Sequence, residues 1–353
     1  MMKELTLELD FSTPAFLGNA DQLAQWRTPP IKALIRQWWR VVRAKACNYD
    51  HKLILEEENT LFGKAPNKDA TRKDATRSHL RLRLDSWAEG NKRTWNENGK
   101  FRPEGARRDI DAFTYLGYGP LTTRGADFEV SKKRSALEPG KQANTLWLGF
   151  PDVHEQAIFQ ALQLIHWFGT MGSRSRNGWG SLVLNLGKSS PLTKNVIEPY
   201  TRNWLDCLQQ EWAHAIGKDA KGPLIWQTQK VATWQDAMKN LAKMKIALRA
   251  ELKVPASTQY PQLLKYHVLA YPVTSHTLPA FKKEARLTNQ LRFKVMKEGN
   301  TYRGIIVHLP CRAPDETVEK LNRNKSIFRN LELTVWPEVH AVLDRLLPDG
   351  RLR

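Results

Sequence analysis

Leu5, Leu7 and Leu9 alternate with Thr6, Glu8 and Asp10, the period-2 pattern of a strand with one buried face, so a strand is predicted over residues 1–10. Pro29 and Pro30 follow the candidate cap Thr28, and residues 31–46 carry no further Pro or Gly, which predicts a helix. Leucine alternates with arginine over 80–84, and 145–150 is a third strand candidate. Asp152 and Glu155 ahead of Ile158, Leu162, Ile165 and Phe168 combine capping with helical spacing, and Gly169 ends that run. Residues 181–186 alternate again. Strand, helix, two strands, helix, strand is the split βαβ, ferredoxin-like order.

The second half repeats this plan more loosely. Strands are predicted over 224–227 and 266–273, a helix over 234–252, a strand pair over 291–297 and 302–309 around Glu298-Gly299-Asn300, and a last helix over 335–347. The resulting fold class is α+β, with two tandem ferredoxin-like domains at 1–190 and 191–353. Long polar insertions interrupt the pattern. Lys-Asp-Ala-Thr-Arg occurs twice in succession, at 68–72 and 73–77, inside an insertion spanning 64–109, and 124–141 has the same character. Lacking large apolar residues, such segments contribute little core.

The 353 residues include 55 Lys+Arg and 36 Asp+Glu, a formal net charge of +19. Both halves share it, with 29 basic against 21 acidic residues up to position 190 and 26 against 15 beyond. This surplus favours a polyanionic partner, because each phosphate neutralised by Lys or Arg releases condensed counterions. Thirteen tryptophans lean toward nucleic acid, since an indole face stacks on an unpaired base, although most belong in cores. With no run of 18 uncharged apolar residues and no signal-peptide pattern, the expectation is cytoplasmic residence and no membrane partner. Three scattered cysteines, Cys47, Cys207 and Cys311, fit neither a disulfide framework nor a thiolate metal site.

Two constellations carry candidate chemistry. Lys32, Arg36, Arg40 and Arg43 fall within one arc of the first helix, apart from the apolar arc of Ile31, Leu34, Ile35, Trp38 and Val42, and no acidic residue lies between Trp26 and Tyr49. The alternative is an ordinary solvated face. The second constellation is the loop 172–180, Gly-Ser-Arg-Ser-Arg-Asn-Gly-Trp-Gly. Its glycines let backbone N–H groups approach an anion, Ser173 and Ser175 offer hydroxyls, and Arg174 and Arg176 can fork onto phosphate oxygens. Trp179 either stacks on a base or enters the core. Neither a nucleotide P-loop nor a dinucleotide fingerprint is present, and no zinc-hydrolase, Cys-pair or Ser-nucleophile motif occurs. No catalytic residue, metal or cofactor is therefore expected. Glu56, Glu57 and Glu58, ahead of Leu61-Phe62-Gly63, read as helix-end charges unless a partner meets them.

Thr13-Pro-Ala-Phe-Leu-Gly18, Arg27-Thr-Pro-Pro-Ile-Lys-Ala-Leu-Ile-Arg-Gln-Trp-Trp-Arg40, Glu58 to Gly63, and the loop from Gly172 to Ser181 occur in order along the first half. Together they resemble the Cmr-one subunits of type III-B CRISPR effectors, members of the RAMP superfamily. Arg286-Leu-Thr-Asn289 with 291–309 is similar to that family's second-domain strands, more loosely. The resemblance implies tandem RAMP (RRM-like) ferredoxin domains. It also implies a non-catalytic subunit near the 3' end of the CRISPR RNA, with CRISPR RNA, target RNA and other RAMP subunits as partners and no homo-oligomer. The doubled pentapeptide has no counterpart in the resemblance.

On this reading Lys32, Arg36 and Arg40 share a groove with Arg174, Arg176 and Asn177. Arg27, Arg43, Ser173, Ser175, Trp179 and Arg286 complete the expected RNA-binding set. Base pairing would supply specificity and the cations affinity. The enzymatic rival is a metal-independent RAMP endoribonuclease processing CRISPR RNA with His51 or His79 as base. Such enzymes usually carry their Gly-rich loop near the C-terminus, and here it ends at Gly180. A purely structural scaffold meeting acidic neighbours is the third reading.

Overall fold

A computed structural model describes residues 1–65, 75–95, 99–103, 108–124, 127–130, 134–187, 190–252, 263–271, 285–320 and 325–353. Most of the doubled pentapeptide lies outside these. The first sheet contains β1 (Met2–Phe11), β2 (Arg81–Leu84), β3 (Asn144–Pro151) and β4 (Leu182–Asn185) in the order β2-β3-β1-β4, antiparallel throughout. That is the ferredoxin-like order. Leu7, Leu9 and Phe11 of β1 and Leu146, Leu148 and Phe150 of β3 point inward, where α1 (Thr28–Ala44) and α4 (Glu155–Phe168) cover them. Ile31, Leu34, Ile35, Trp38 and Trp39 form the buried stripe of α1.

Between α1 and β2 the chain forms α2 (His51–Phe62), a helix not among the predicted elements, which carries Glu56, Glu57 and Glu58 in its body and not at an end. Its signals are local: Asp50 caps it by accepting the Lys52 N–H at 2.7 Å, and Ile54, Glu58, Leu61 and Phe62 share the buried face. The short helix α3 (Ala112–Gly117) lies between the two polar insertions.

In the second half β5 (Ile225–Gln227), β6 (Leu291–Glu298) and β7 (Thr301–His308) pair in the order β5-β7-β6. Helices α5 (Trp234–Glu251) and α7 (Lys325–Leu346) accompany them. The last residues return to the free edge of β5, where Trp226 bridges Arg351 and the Leu352 N–H reaches the Ile225 carbonyl at 3.0 Å. This contact stands where a fourth ferredoxin strand would run, and so the looser second copy follows the same plan. The strand expected over 266–273 is instead the short helix α6 (Tyr266–Leu269) as far as the chain is described. Tyr266, His267 and Val268 are buried in succession, which no half-buried strand allows, and the His267 ring turns the chain by accepting the Leu264 N–H at 3.0 Å. The last helix begins at Lys325, ten residues ahead of the expected start.

The two cores interlock. Phe16, Phe113, Leu116 and Trp179 enter the second core, while Ile216, Ile225, Ile305 and Val307 enter the first. At the seam, Lys294 of β6 is buried and donates to three carbonyls at the end of α4 and the start of β4: Ile165 at 3.0 Å, His166 at 2.5 Å and Leu182 at 2.7 Å. Burial holds its pKa well below the usual lysine value. Lys294→Met removes this donor from the three carbonyls, of which Ile165 keeps the Gly169 N–H at 2.7 Å, and is expected to cost about 2–4 kcal/mol in urea unfolding. An unchanged midpoint would show that the staple carries no stability.

Candidate nucleic-acid interface

The Gly-rich loop is held by the segment preceding α1. Thr13 Oγ1 donates to the Gly178 carbonyl at 2.7 Å and accepts the Ser181 N–H at 3.0 Å. The N–H groups of Gly180 and Ser173 reach the carbonyls of Pro14 and Phe16, both at 2.9 Å. Gly172 (φ +96°) and Gly180 (φ +61°) admit no side chain, because a Cβ would stand 2.7 Å from the Phe16 oxygen and 2.0 Å from the Met171 oxygen respectively. Across the seam, the Phe293 N–H of β6 binds the Arg176 carbonyl at 3.0 Å, and Ser181 Oγ accepts the Val295 N–H at 2.9 Å. The loop is thus fixed from both halves.

Alongside it runs a groove of about 1620 Å³, bounded by the loop, α3, α5, β6 and the segment around Arg286. Seven described lining residues are basic, Lys100, Arg174, Arg176, Lys245, Arg249, Arg286 and Arg292, against the acidic pair Asp109 and Asp111. Asp109 is already engaged by Arg102 at 2.8 Å. Among the described residues no carboxylate lies within ion-pair distance of Arg174, Arg176, Lys245, Arg249 or Arg292. Burial, reinforced by Arg249 and Arg174, lowers Lys245 to about 7. Burial and then Arg176 lower Arg292 to about 9. Such mutual destabilisation of cations is relieved by an incoming anion. Tyr115, Tyr118, Tyr266 and Tyr271 also line the groove, with Tyr118 55% exposed at its rim.

The structure distributes the expected set unevenly. Arg174, Ser175, Arg176, Asn177 and Arg286 line the groove. Asn177 positions a neighbour: its Nδ2 donates to the Leu116 carbonyl at 2.8 Å and its Oδ1 accepts Lys245 Nζ at 2.7 Å. Ser173 and Arg27 lie instead by a smaller hollow with Arg134, and Arg27 donates to the Gly18 carbonyl. Trp179 is 0% exposed, packed in tilted and edge-on contact with Phe16, Trp95, Phe113 and Trp234, so its alternative resolves as core. His51 and His79 are exposed and do not line the groove.

The basic stripe of α1 stands apart from the groove, to which α1 contributes Gln37. Its cations are met by α2. Glu58, 1% exposed, binds Arg36 Nε at 2.5 Å and Arg40 Nη2 at 2.7 Å, and Glu57 binds Arg43 at 2.8 and 2.9 Å. Of the stripe, only Lys32 lacks a carboxylate partner among the described residues, and burial followed by Arg36 lowers its pKa. The three arginines of the stripe are thus partnered by residues beyond the acid-free interval 27–48. Glu58→Gln should cost about 2 kcal/mol by leaving two half-exposed guanidiniums unpaired, with RNA affinity moving less than about twofold. A clear gain of affinity, from guanidiniums released toward phosphate, would restore the stripe as an RNA contact.

Sequence reasoning missed Lys245, Arg249 and Arg292. The first two carried a signal, since residues 237–250 of α5 contain four basic and no acidic residues. The open face of the first sheet is not comparably cationic. Exposed Arg81 and Arg83 at one edge are offset by Glu4, Glu8 and Asp10 on β1, and the Arg83 guanidinium lies 4.3 Å over the Trp147 ring. Among the described residues no His/Cys/Asp/Glu group is arranged to hold a metal, and no helix is long and apolar enough to cross a membrane.

A family model described as RAMP superfamily matches residues 8–183, the span from β1 through the Gly-rich loop into β4. A crystal structure of apo Cmr1 from Pyrococcus furiosus is similar at 16% identity and a TM-score of 0.45, over 87% of each chain. A chain in the cryo-EM structure of the type III-B Cmr-beta complex bound to cognate target RNA is similar at 12% identity and a TM-score of 0.44. That match covers 94% of this chain and 100% of the other. No curated protein matches.

Proposed function

Through residues 8–183 the chain belongs to the RAMP superfamily, and from that premise we propose that it is a non-catalytic RNA-binding subunit of a type III-B CRISPR effector. Its groove holds the 3' region of the CRISPR RNA with its target RNA, and other RAMP subunits are its protein partners. The observation that carries this reading is the groove itself, in which the Gly-rich loop faces Lys245, Arg249 and Arg292 of the second half, none of which has a carboxylate partner among the described residues.

Arg174, Arg176, Lys245, Arg249 and Arg292 neutralise backbone phosphates without reading sequence, and Tyr118 offers a face for an unpaired base. Base pairing between guide and target supplies the specificity. Ser175, Asn177 and Arg286 stand within the same walls. The ordered motifs of the first half support the type III-B assignment within the superfamily.

Native purification of the tagged chain from its host at moderate salt, followed by sequencing of bound RNA and identification of bound proteins, tests the assignment. Repeat-derived guides together with several RAMP subunits are expected. Recovery of the chain alone, without RNA, refutes it. Cleavage of repeat RNA in EDTA by the isolated chain would replace it with the processing-enzyme reading.

A further inference from the structure

The groove contains two cationic clusters, not one continuous stripe. Arg176 and Arg292 line one stretch of it, where the Phe293 N–H binds the Arg176 carbonyl and burial followed by the Arg176 guanidinium lowers the pKa of Arg292. Arg174, Lys245 and Arg249 form the second cluster, in which Lys245 feels both guanidiniums. The loop divides them because Arg174 adopts φ +58°, a conformation costly for a side-chain-bearing residue and held here by its Nε donating to the Tyr118 carbonyl at 2.6 Å.

From this arrangement we propose that the Arg174–Lys245–Arg249 corner is a seat for a phosphomonoester, the phosphate at an RNA end, rather than for an internal phosphodiester. The inference rests on the reading that the groove takes RNA. Lys245 and Arg249 stand one turn apart on α5, so their side chains share a face. Asn177 Oδ1 orients the lysine Nζ at 2.7 Å, and Arg249 Nη1 lies 3.3 Å from the Tyr115 hydroxyl. Three cationic groups therefore converge on one wall with no carboxylate partner among the described residues.

An internal diester brings a single negative charge and two free oxygens. A monoester brings about −1.5 to −2 at neutral pH and three strong acceptor oxygens, one for each cation. Burial and the two guanidiniums hold Lys245 near 7; a dianion restores its full charge, whereas a monoanion leaves residual repulsion. Arg176 and Arg292 then take the adjoining diester.

The test compares one short single-stranded RNA, labelled internally, carrying a 5'-phosphate, a 3'-phosphate or hydroxyls at both ends, bound to the full chain at pH 7 and followed by fluorescence anisotropy. One phosphorylated end should bind about tenfold tighter than the hydroxyl-ended strand, equivalent to about 1.4 kcal/mol. The two phosphorylated arms identify which end is seated. Lys245→Gln should bring the phosphorylated and hydroxyl-ended strands to the same affinity, whatever it costs the affinity they share, and Lys245→Arg should retain the difference. If Lys245→Gln does not fold, Arg249→Gln serves the same purpose. Equal binding of all three RNAs overturns the seat and leaves the groove reading standing. Failure of every RNA to bind overturns both.

Discussion

Arg176→Glu combined with Arg249→Glu is expected to weaken binding of single-stranded RNA at least 100-fold near 0.1 M salt, a loss of about 2.7 kcal/mol or more. The two residues stand in different cationic clusters of the groove and come from different halves of the chain. Each substitution removes an attraction to a phosphate and installs a repulsion, in a cleft whose partly buried walls screen charge less than open solvent does. Losing two phosphate contacts should also flatten the plot of log affinity against log salt by about 1.4, at about 0.7 per phosphate for a single strand. The control is Arg81→Glu with Arg83→Glu on the open sheet face. It changes net charge equally, at a surface already carrying Glu4, Glu8 and Asp10, and should move affinity less than about threefold. Equal losses in both variants would mean that RNA responds to total charge and not to the groove.

How the groove arises explains which parts of the protein were legible in its sequence. Alternation in β1 and the helical apolar spacing of α4 are local signals, and both elements stand within a few residues of their predicted limits, although no side chain caps α4. The loop 172–180 was legible as an anion site, because glycine and arginine requirements are written in adjacent positions. The fate of the α1 stripe was not. Glu58 lies 22 residues from Arg36 and 18 from Arg40, and only the packing of α2 on α1 brings it back. Arg292 is one of several charged residues alternating with apolar ones along β6 and becomes part of a site when β6 pairs with the loop. Trp179 shows the same dependence: its position suits stacking or burial, and the aromatic residues that enclose it come from four other parts of the chain. Cations that converge from both halves cannot be assembled from a one-dimensional pattern without the interlocked cores.

Acidification from pH 7 to 5 is expected to remove much of the stability of this fold while RNA phosphodiesters keep their charge. His308 and His340 are 0% and 4% exposed and share one hydrogen bond, with Nδ1 of the first 2.9 Å from Nε2 of the second. One ring donates and the other accepts, so both are neutral in the folded chain. Gln290 Oε1 stands 3.2 Å from the far nitrogen of His308, and Trp336 and Trp226 close over the two rings. Burial pushes His340 down to about 4, and burial with the facing His340 pushes His308 well below its usual value. His214, 0% exposed and 2.9 Å from Arg202, is likewise lowered to about 4, chiefly by burial. Because these folded values lie below the unfolded value near 6.5, the unfolded chain binds more protons as the pH falls. Their stabilising contribution is therefore complete above about 6.5 and disappears progressively toward 4. Each such histidine forfeits about 2 kcal/mol by pH 5, so three together approach the lower end of a whole domain's stability. Urea unfolding at half-unit pH steps should show a steep fall in midpoint over this window. His340→Gln, which keeps a polar partner for His308 but removes one titrating ring, should lower stability at pH 7 and make the acid slope shallower by about one proton. A midpoint that stays level between pH 7 and 5 would show that these rings take up protons without unfolding the second half, and the neutral pair would not be a requirement of the fold.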